Sequence, residues 1–209
     1  MKQTIFCIFL SFSSSLPILA YAEGKTSENK SASIAHPLGS CYGGGIIFYL
    51  NTTPNAPAGQ RGLIVALSDA STGCNSPTGT CVWDITGFTA KLIAPHRDYF
   101  SGAENTKEIL KALGESRAQA AYAASQYKGG GYSDWYLPAQ KELSELYTQV
   151  SSTGENFWTG CGGSVPSAGS YWSSTQLNTR VAWGIAFANG NVPYGVTTSS
   201  LGVRAIRAF

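Results

Sequence analysis

The cysteines constrain this chain more than any other feature, because its first residues place them in an oxidising compartment. Residues 1–22 have the layout of a secretory signal: Lys2, an apolar stretch from Ile5 to about Ala20, and the small-x-small triplet Ala20-Tyr21-Ala22. Ser11, Ser13 to Ser15 and Pro17 interrupt the stretch, which makes an uncleaved membrane anchor the weaker alternative. Cys7 lies inside the signal without a lipobox and leaves with it. The mature chain keeps Cys41, Cys74, Cys81 and Cys161, an even set that reads as two disulfides with three possible connectivities. Cys74 and Cys81 bracket the turn-rich segment Asn75-Ser-Pro-Thr-Gly-Thr80, which closes easily on itself and is worth roughly 2–3 kcal/mol as a cross-link. Cys41 then pairs with Cys161. The rival reading is zinc, but C-x6-C without a nearby histidine is poor ligand spacing, so no metal site and no cofactor are expected.

Loss of residues 1–22 removes Lys2 and leaves 13 basic against 12 acidic side chains, a formal charge of +1. That balance argues against nucleic acid as a partner, which calls for a basic patch or stripe. The remaining 187 residues suit one domain with a substantial core, and no second apolar run of membrane-spanning length follows the signal. Only 12% of residues are charged, so the surface is polar but weakly charged.

Residues 23–37 are polar, Ser/Lys-rich and aperiodic, and are expected to form a flexible leader to a domain at 38–209. Gly45-Ile-Ile-Phe-Tyr-Leu50 and Gly62-Leu-Ile-Val-Ala-Leu67 are continuous apolar runs, which predicts hairpin strands covered on both faces. Asn105 to Leu113 and Glu115 to Tyr127 show helical periodicity, and Gly129-Gly-Gly131 ends the second segment. A third helix is expected to start at Pro138 and to bury Leu143, Leu146, Tyr147 and Val150. The last third is strand-like: Tyr171 to Thr175, Val181 to Ala188, a type I′ turn at Asn189-Gly190 into Asn191 to Val196, and Gly202 to Phe209. Strands, then helices, then strands predict an α+β fold, one compact domain with a mixed, mainly antiparallel sheet and about three helices.

Four segments in order resemble the Lcl C-terminal domain family. They are Gly102-Ala-Glu-Asn-Thr106; Gly130 to Pro138 with Glu142-Leu143; Tyr171-Trp-Ser-Ser-Thr175; and Val203-Arg-Ala-Ile-Arg-Ala-Phe209. Gly43 to Tyr49 is similar to the opening strand of that family. The resemblance implies a fold distantly like the C-type-lectin-like and formylglycine-generating-enzyme group. It further implies a secreted or periplasmic, adhesin-like module that takes sulfated polysaccharide or a host surface glycan, with a trimer as the possible homo-oligomer. The collagen-like stalk of that family's namesake is missing here. The calcium triplets of calcium-dependent lectins are missing too, as is the cysteine pair of oxygen-dependent formylglycine enzymes.

The candidate site residues each carry two readings. His96 and Asp98 lie among many serines, but no Gly-x-Ser-x-Gly elbow accompanies them, so a surface loop is preferred to a hydrolase triad and no enzyme is expected. Asp134 to Pro138 reads as a fold signature or a ligand loop, and Tyr171, Trp172 and Trp183 as core aromatics or sugar platforms. No acidic residue follows Glu155, whereas Arg180, Arg204 and Arg207 all do, and the guanidinium fork suits sulfate. The alternative for Arg204 and Arg207 is a buried pair with Asp134 or Glu142. Arg180 is the leading ligand contact, with Arg204 or Arg207 contributing if exposed and an aromatic such as Tyr194 or Trp183 supporting a sugar ring. A secreted structural or protein-binding factor without a sugar site is the competing function.

Overall fold

A computed structural model describes residues 36–166 and 169–209. The signal at 1–22 and the leader up to residue 35 lie outside the described residues. Strands β2 (Gly45–Leu50) and β3 (Gly62–Ala66) form the antiparallel centre of a sheet ordered β1-β2-β3-β9, flanked by β1 (Cys41–Tyr42) and β9 (Ile206–Ala208). Alternation along these strands sends Ile47, Ile64 and Ala66 into one core cluster and Ile46, Phe48, Leu63 and Val65 into another. This is the physical reason the two runs are apolar at every position: helices cover both faces.

The first cluster is completed by α1 (Gly102–Leu113) and α2 (Gln119–Gln126), through Ile109 and the small residues Ala120, Ala121, Ala123 and Ala124. The second is completed by Leu143 and Leu146 of α3 (Gln140–Thr153), with Trp158 of the single-turn α4 (Asn156–Thr159). Helix α1 begins three residues before its apolar periodicity does. Thr106 Oγ1 donates to the Gly102 carbonyl (2.8 Å), and a Cβ at Gly102 would strike the Glu142 carboxylate, so only glycine opens this helix. Helix α2 starts at Gln119 rather than Glu115, after a turn at residues 115–117.

Helix α3 starts at Gln140, two residues beyond Pro138. Tyr136 exchanges backbone hydrogen bonds with Ile206 (2.8 and 3.0 Å) and holds this approach extended, and Glu142 reaches back to accept the Ala139 N–H (2.6 Å).

A second sheet, ordered β5-β6-β7, comprises β5 (Ser170–Asn178), β6 (Val181–Ala186) and β7 (Tyr194–Val196). The expected type I′ turn at Asn189-Gly190 does not form. Of these two residues only Gly190 has positive φ (72°), and the connection is a longer loop in which the Ala186 carbonyl accepts the Gly190 N–H (2.8 Å) and the Ala186 N–H donates to Asn191 (2.9 Å). The expected strand from Gly202 to Phe209 is split. Gly202 bridges to Tyr171, Val203 and Ala205 carbonyls accept Ala70 and Ala66 N–H groups, and only then does β9 join β3. A two-stranded sheet of β4 (Cys81–Val82) and β8 (Ser200–Leu201) completes the α+β architecture.

Both disulfides form in the anticipated connectivity. Cys41–Cys161 ties β1 to the chain after α4 across 120 residues, and Cys74–Cys81 closes the short loop leading into β4.

Candidate functional site

Two of the three late arginines belong to the framework. Arg204 is fully buried: its Nε donates to Asp69 Oδ1 (2.7 Å), its Nη1 to the Ala66 and Ser164 carbonyls (3.2 and 3.1 Å), and its guanidinium lies over the Trp158 ring (5.0 Å). Arg207 is 7% exposed and grips Asp134 with both Nε and Nη2 (2.7 and 2.8 Å), beneath the Tyr132 ring at 3.7 Å. This contact holds the Asp134 carboxyl below the ordinary range, against the smaller opposing effect of burial. A ligand contact needs solvent access. Both side chains therefore leave the candidate anion site, and the partner of Arg204 is Asp69 rather than Glu142.

Tyr171 and Trp172 are core residues, and the Trp172 indole N–H donates to the Cys81 carbonyl (2.8 Å). Trp135 is buried likewise, its indole donating to Gly129 (3.3 Å). His96 contributes its carbonyl to Asn105 and Thr175 (both 2.7 Å), and Asp98 faces Lys141 (3.7 Å), so neither is engaged as in a triad. All four described cysteines are in disulfides, and among the described residues no three His, Cys, Asp or Glu side chains cluster as a metal site.

The remaining candidates converge on the sheet β5-β6-β7. Register pairs Trp183 with Tyr194 and Val181 with Val196, which sets these four side chains on one face of β6 and β7. Tyr194 is 64% exposed, and its ring meets the Trp183 ring edge-on at 6.1 Å. The Trp183 indole nitrogen has no hydrogen-bond partner, and the Arg97 guanidinium lies 5.4 Å from the Trp183 ring centre. Arg180 stands in the β5–β6 turn, where its N–H donates to Asn178 Oδ1 (2.8 Å) and its guanidinium covers the half-exposed Phe88 ring at 5.6 Å. Among the described residues neither Arg97 nor Arg180 is paired with a carboxylate. Two exposed guanidiniums on aromatic rings, free of acids, are suited to sulfate or carboxylate groups, and the flanking rings to a sugar face.

Arg97 and Phe88 escape the sequence reading because their segments lack periodicity. What fixes Arg97 is α3: Lys141 N–H donates to the Arg97 carbonyl (2.9 Å) and Phe100 N–H to Glu142 Oε1 (2.8 Å). Glu142 is fully buried, and desolvation pushes its carboxyl from 4.5 up to about 7 despite the donors from Ala139, Phe100 and Tyr136. Tyr99, packed against Tyr49 at 4.3 Å and donating to Glu145 (3.0 Å), is raised to about 12, chiefly by burial.

Two disulfides staple this α+β framework, which fits a protein of an oxidising, extracellular compartment. The Lcl C-terminal domain family matches residues 52–207, and the chain belongs to that family. Among solved structures, the chain is similar to a fimbrial protein from Bacteroides ovatus ATCC 8483, with 17% identity, a TM-score of 0.48, and coverage of 85% of this chain and 46% of that one. No curated protein matches the chain. Among the described residues no helix is long and apolar enough to cross a membrane.

Proposed function

We propose that this chain is a non-catalytic, adhesin-like extracellular module that binds anionic, sulfated polysaccharide across the outer face of β6 and β7. The observations that support this reading most directly are two guanidiniums without a carboxylate partner among the described residues: Arg97 over the Trp183 ring, which the open Tyr194 ring meets edge-on, and Arg180 over the Phe88 ring. Sulfates are taken by the arginine forks while the rings carry the sugar faces. A formal charge of +1 on the mature chain supplies no broad positive field. Affinity of a single copy is therefore modest, and several copies in an oligomer raise it by avidity.

Titration with heparin and with fucoidan at low and high salt tests this. Binding is expected at low salt and is expected to fade as salt screens the exposed charges over about 8–10 Å. Arg180→Ala and Arg97→Ala are each expected to weaken it by about threefold to tenfold. No binding at low salt overturns the glycan reading in favour of a protein partner. Unchanged binding in both variants places the polysaccharide elsewhere.

A further inference from the structure

A concavity of about 380 Å³ is built from residues outside the β6 and β7 face. The loop closed by Cys74–Cys81 presents Thr78 and Thr80 to it, and Asp69 and Ser71 just before that loop, Ser170 of β5 and Ser200 of β8 complete its polar lining. Its chemistry is set by Asp69. Arg204 donates to Oδ1 (2.7 Å) and the Tyr171 hydroxyl to Oδ2 (2.9 Å), so the carboxylate is fixed in place, yet 39% of the side chain stays exposed. A carboxylate has about four acceptor positions, which leaves lone pairs on both oxygens for a ligand.

The hydroxyls add both kinds of partner. Thr78 and Thr80 are 3.0 Å apart, and each contacts Ser76 (2.8 and 3.0 Å). Three hydrogens serve three mutual contacts, so this closed ring offers oxygens as acceptors. Ser71, Ser170 and Ser200 make no side-chain hydrogen bond to another described residue and rotate freely to donate or accept.

These features discriminate among ligand classes. A phosphate or sulfate would face a fixed carboxylate with no basic side chain in the lining, since Arg204 is buried and committed to Asp69. A divalent cation would find one carboxylate, already neutralised, and no group of three candidate ligands among the described residues. An apolar ligand would strip water from a charge and five hydroxyls without replacing its hydrogen bonds. A neutral polyol replaces them, because each of its hydroxyls both donates and accepts.

We propose that this cleft binds a neutral saccharide unit, with adjacent sugar hydroxyls donating to Asp69 and the loop and β8 hydroxyls completing the contact. This site stands independently of the cationic face on β6 and β7 and takes the opposite class of sugar.

The test is saturation-transfer NMR of the disulfide-bonded full chain against methyl glycosides of glucose, galactose and mannose, and against N-acetylglucosamine. At least one is expected to receive saturation, with a dissociation constant in the millimolar range that small ligands of this size reach. Ser200→Trp and Ser71→Trp, each filling the cleft from an exposed wall, are expected to abolish the signal. Thr78→Val is expected to weaken binding about threefold to tenfold. Arg180→Ala and high salt are expected to leave it unchanged. The proposal is overturned if no glycoside receives saturation, if both tryptophan variants retain the wild-type signal, or if Arg180→Ala removes it. Failure of heparin binding leaves this result untouched, so the two readings fall separately.

Discussion

Glu142 makes stability depend on pH across a window where few other groups titrate. Its carboxyl is fully buried, and desolvation raises it from 4.5 to about 7 against the pull of its N–H and O–H donors. Below about 4.5 the group is protonated in both folded and unfolded chains. Between 4.5 and about 7 the unfolded chain has lost the proton and the folded one retains it, so unfolding releases a proton and rising pH favours it. The contribution is complete below 4.5, is lost as pH rises through about 7, and stays lost above it. At about 1.4 kcal/mol per pH unit, the window corresponds to about 3 kcal/mol. Asp134 acts in the opposite sense: its lowered carboxyl adds stability above its ordinary 3.8 that is lost in stronger acid, outside this window. Urea denaturation at half-unit steps from pH 4.5 to 8.5, on wild type and on Glu142→Gln, is the assay. The amide cannot ionise, so the variant is expected to lose most of the slope. Its Nε2 also confronts a backbone N–H, Ala139 or Phe100, which lowers its stability at pH 5 by about 1–3 kcal/mol. A flat wild-type profile, or the same slope in both proteins, refutes the reasoning and means that the donors keep Glu142 ionised throughout.

Two further outcomes are expected from the framework. Replacing Cys41 and Cys161 by serine costs about 2 kcal/mol more in urea denaturation than replacing Cys74 and Cys81, because the first pair constrains 120 residues of unfolded chain and the second only 7. Arg204→Ala lowers stability by about 3–5 kcal/mol, since it strips a fully buried guanidinium from Asp69, two carbonyls and Trp158, whereas Arg180→Ala in its exposed turn changes thermal or urea stability by about 0.5 kcal/mol or less.

Local chemistry alone determined a good part of this protein. Burial on both faces of β2 and β3 is written as an unbroken apolar run, because alternate residues enter different core clusters. The disulfide connectivity followed from an even cysteine set and one easily closed loop. The helices appeared through their periodicity, although their starts did not: Gly102 opens α1 and Gln140 opens α3 because the distant partners Glu142 and Ile206 shape those approaches. The tertiary structure decided everything that depends on which residues meet. Arg180, Arg204 and Arg207 are the same residue type in one acid-free stretch, and no local signal separates them. Asp69 and Asp134, 135 and 73 residues away in sequence, turn two of them into buried ties, while the third remains in a solvent-exposed turn. Arg97 joins the surface only because α3 holds its aperiodic loop over Trp183, and the hydroxyl-lined cleft exists only where the Cys74–Cys81 loop meets β8 and β5. Periodicity and spacing report contacts within a few residues, whereas the charge partner that buries or frees an arginine is supplied by the folded chain.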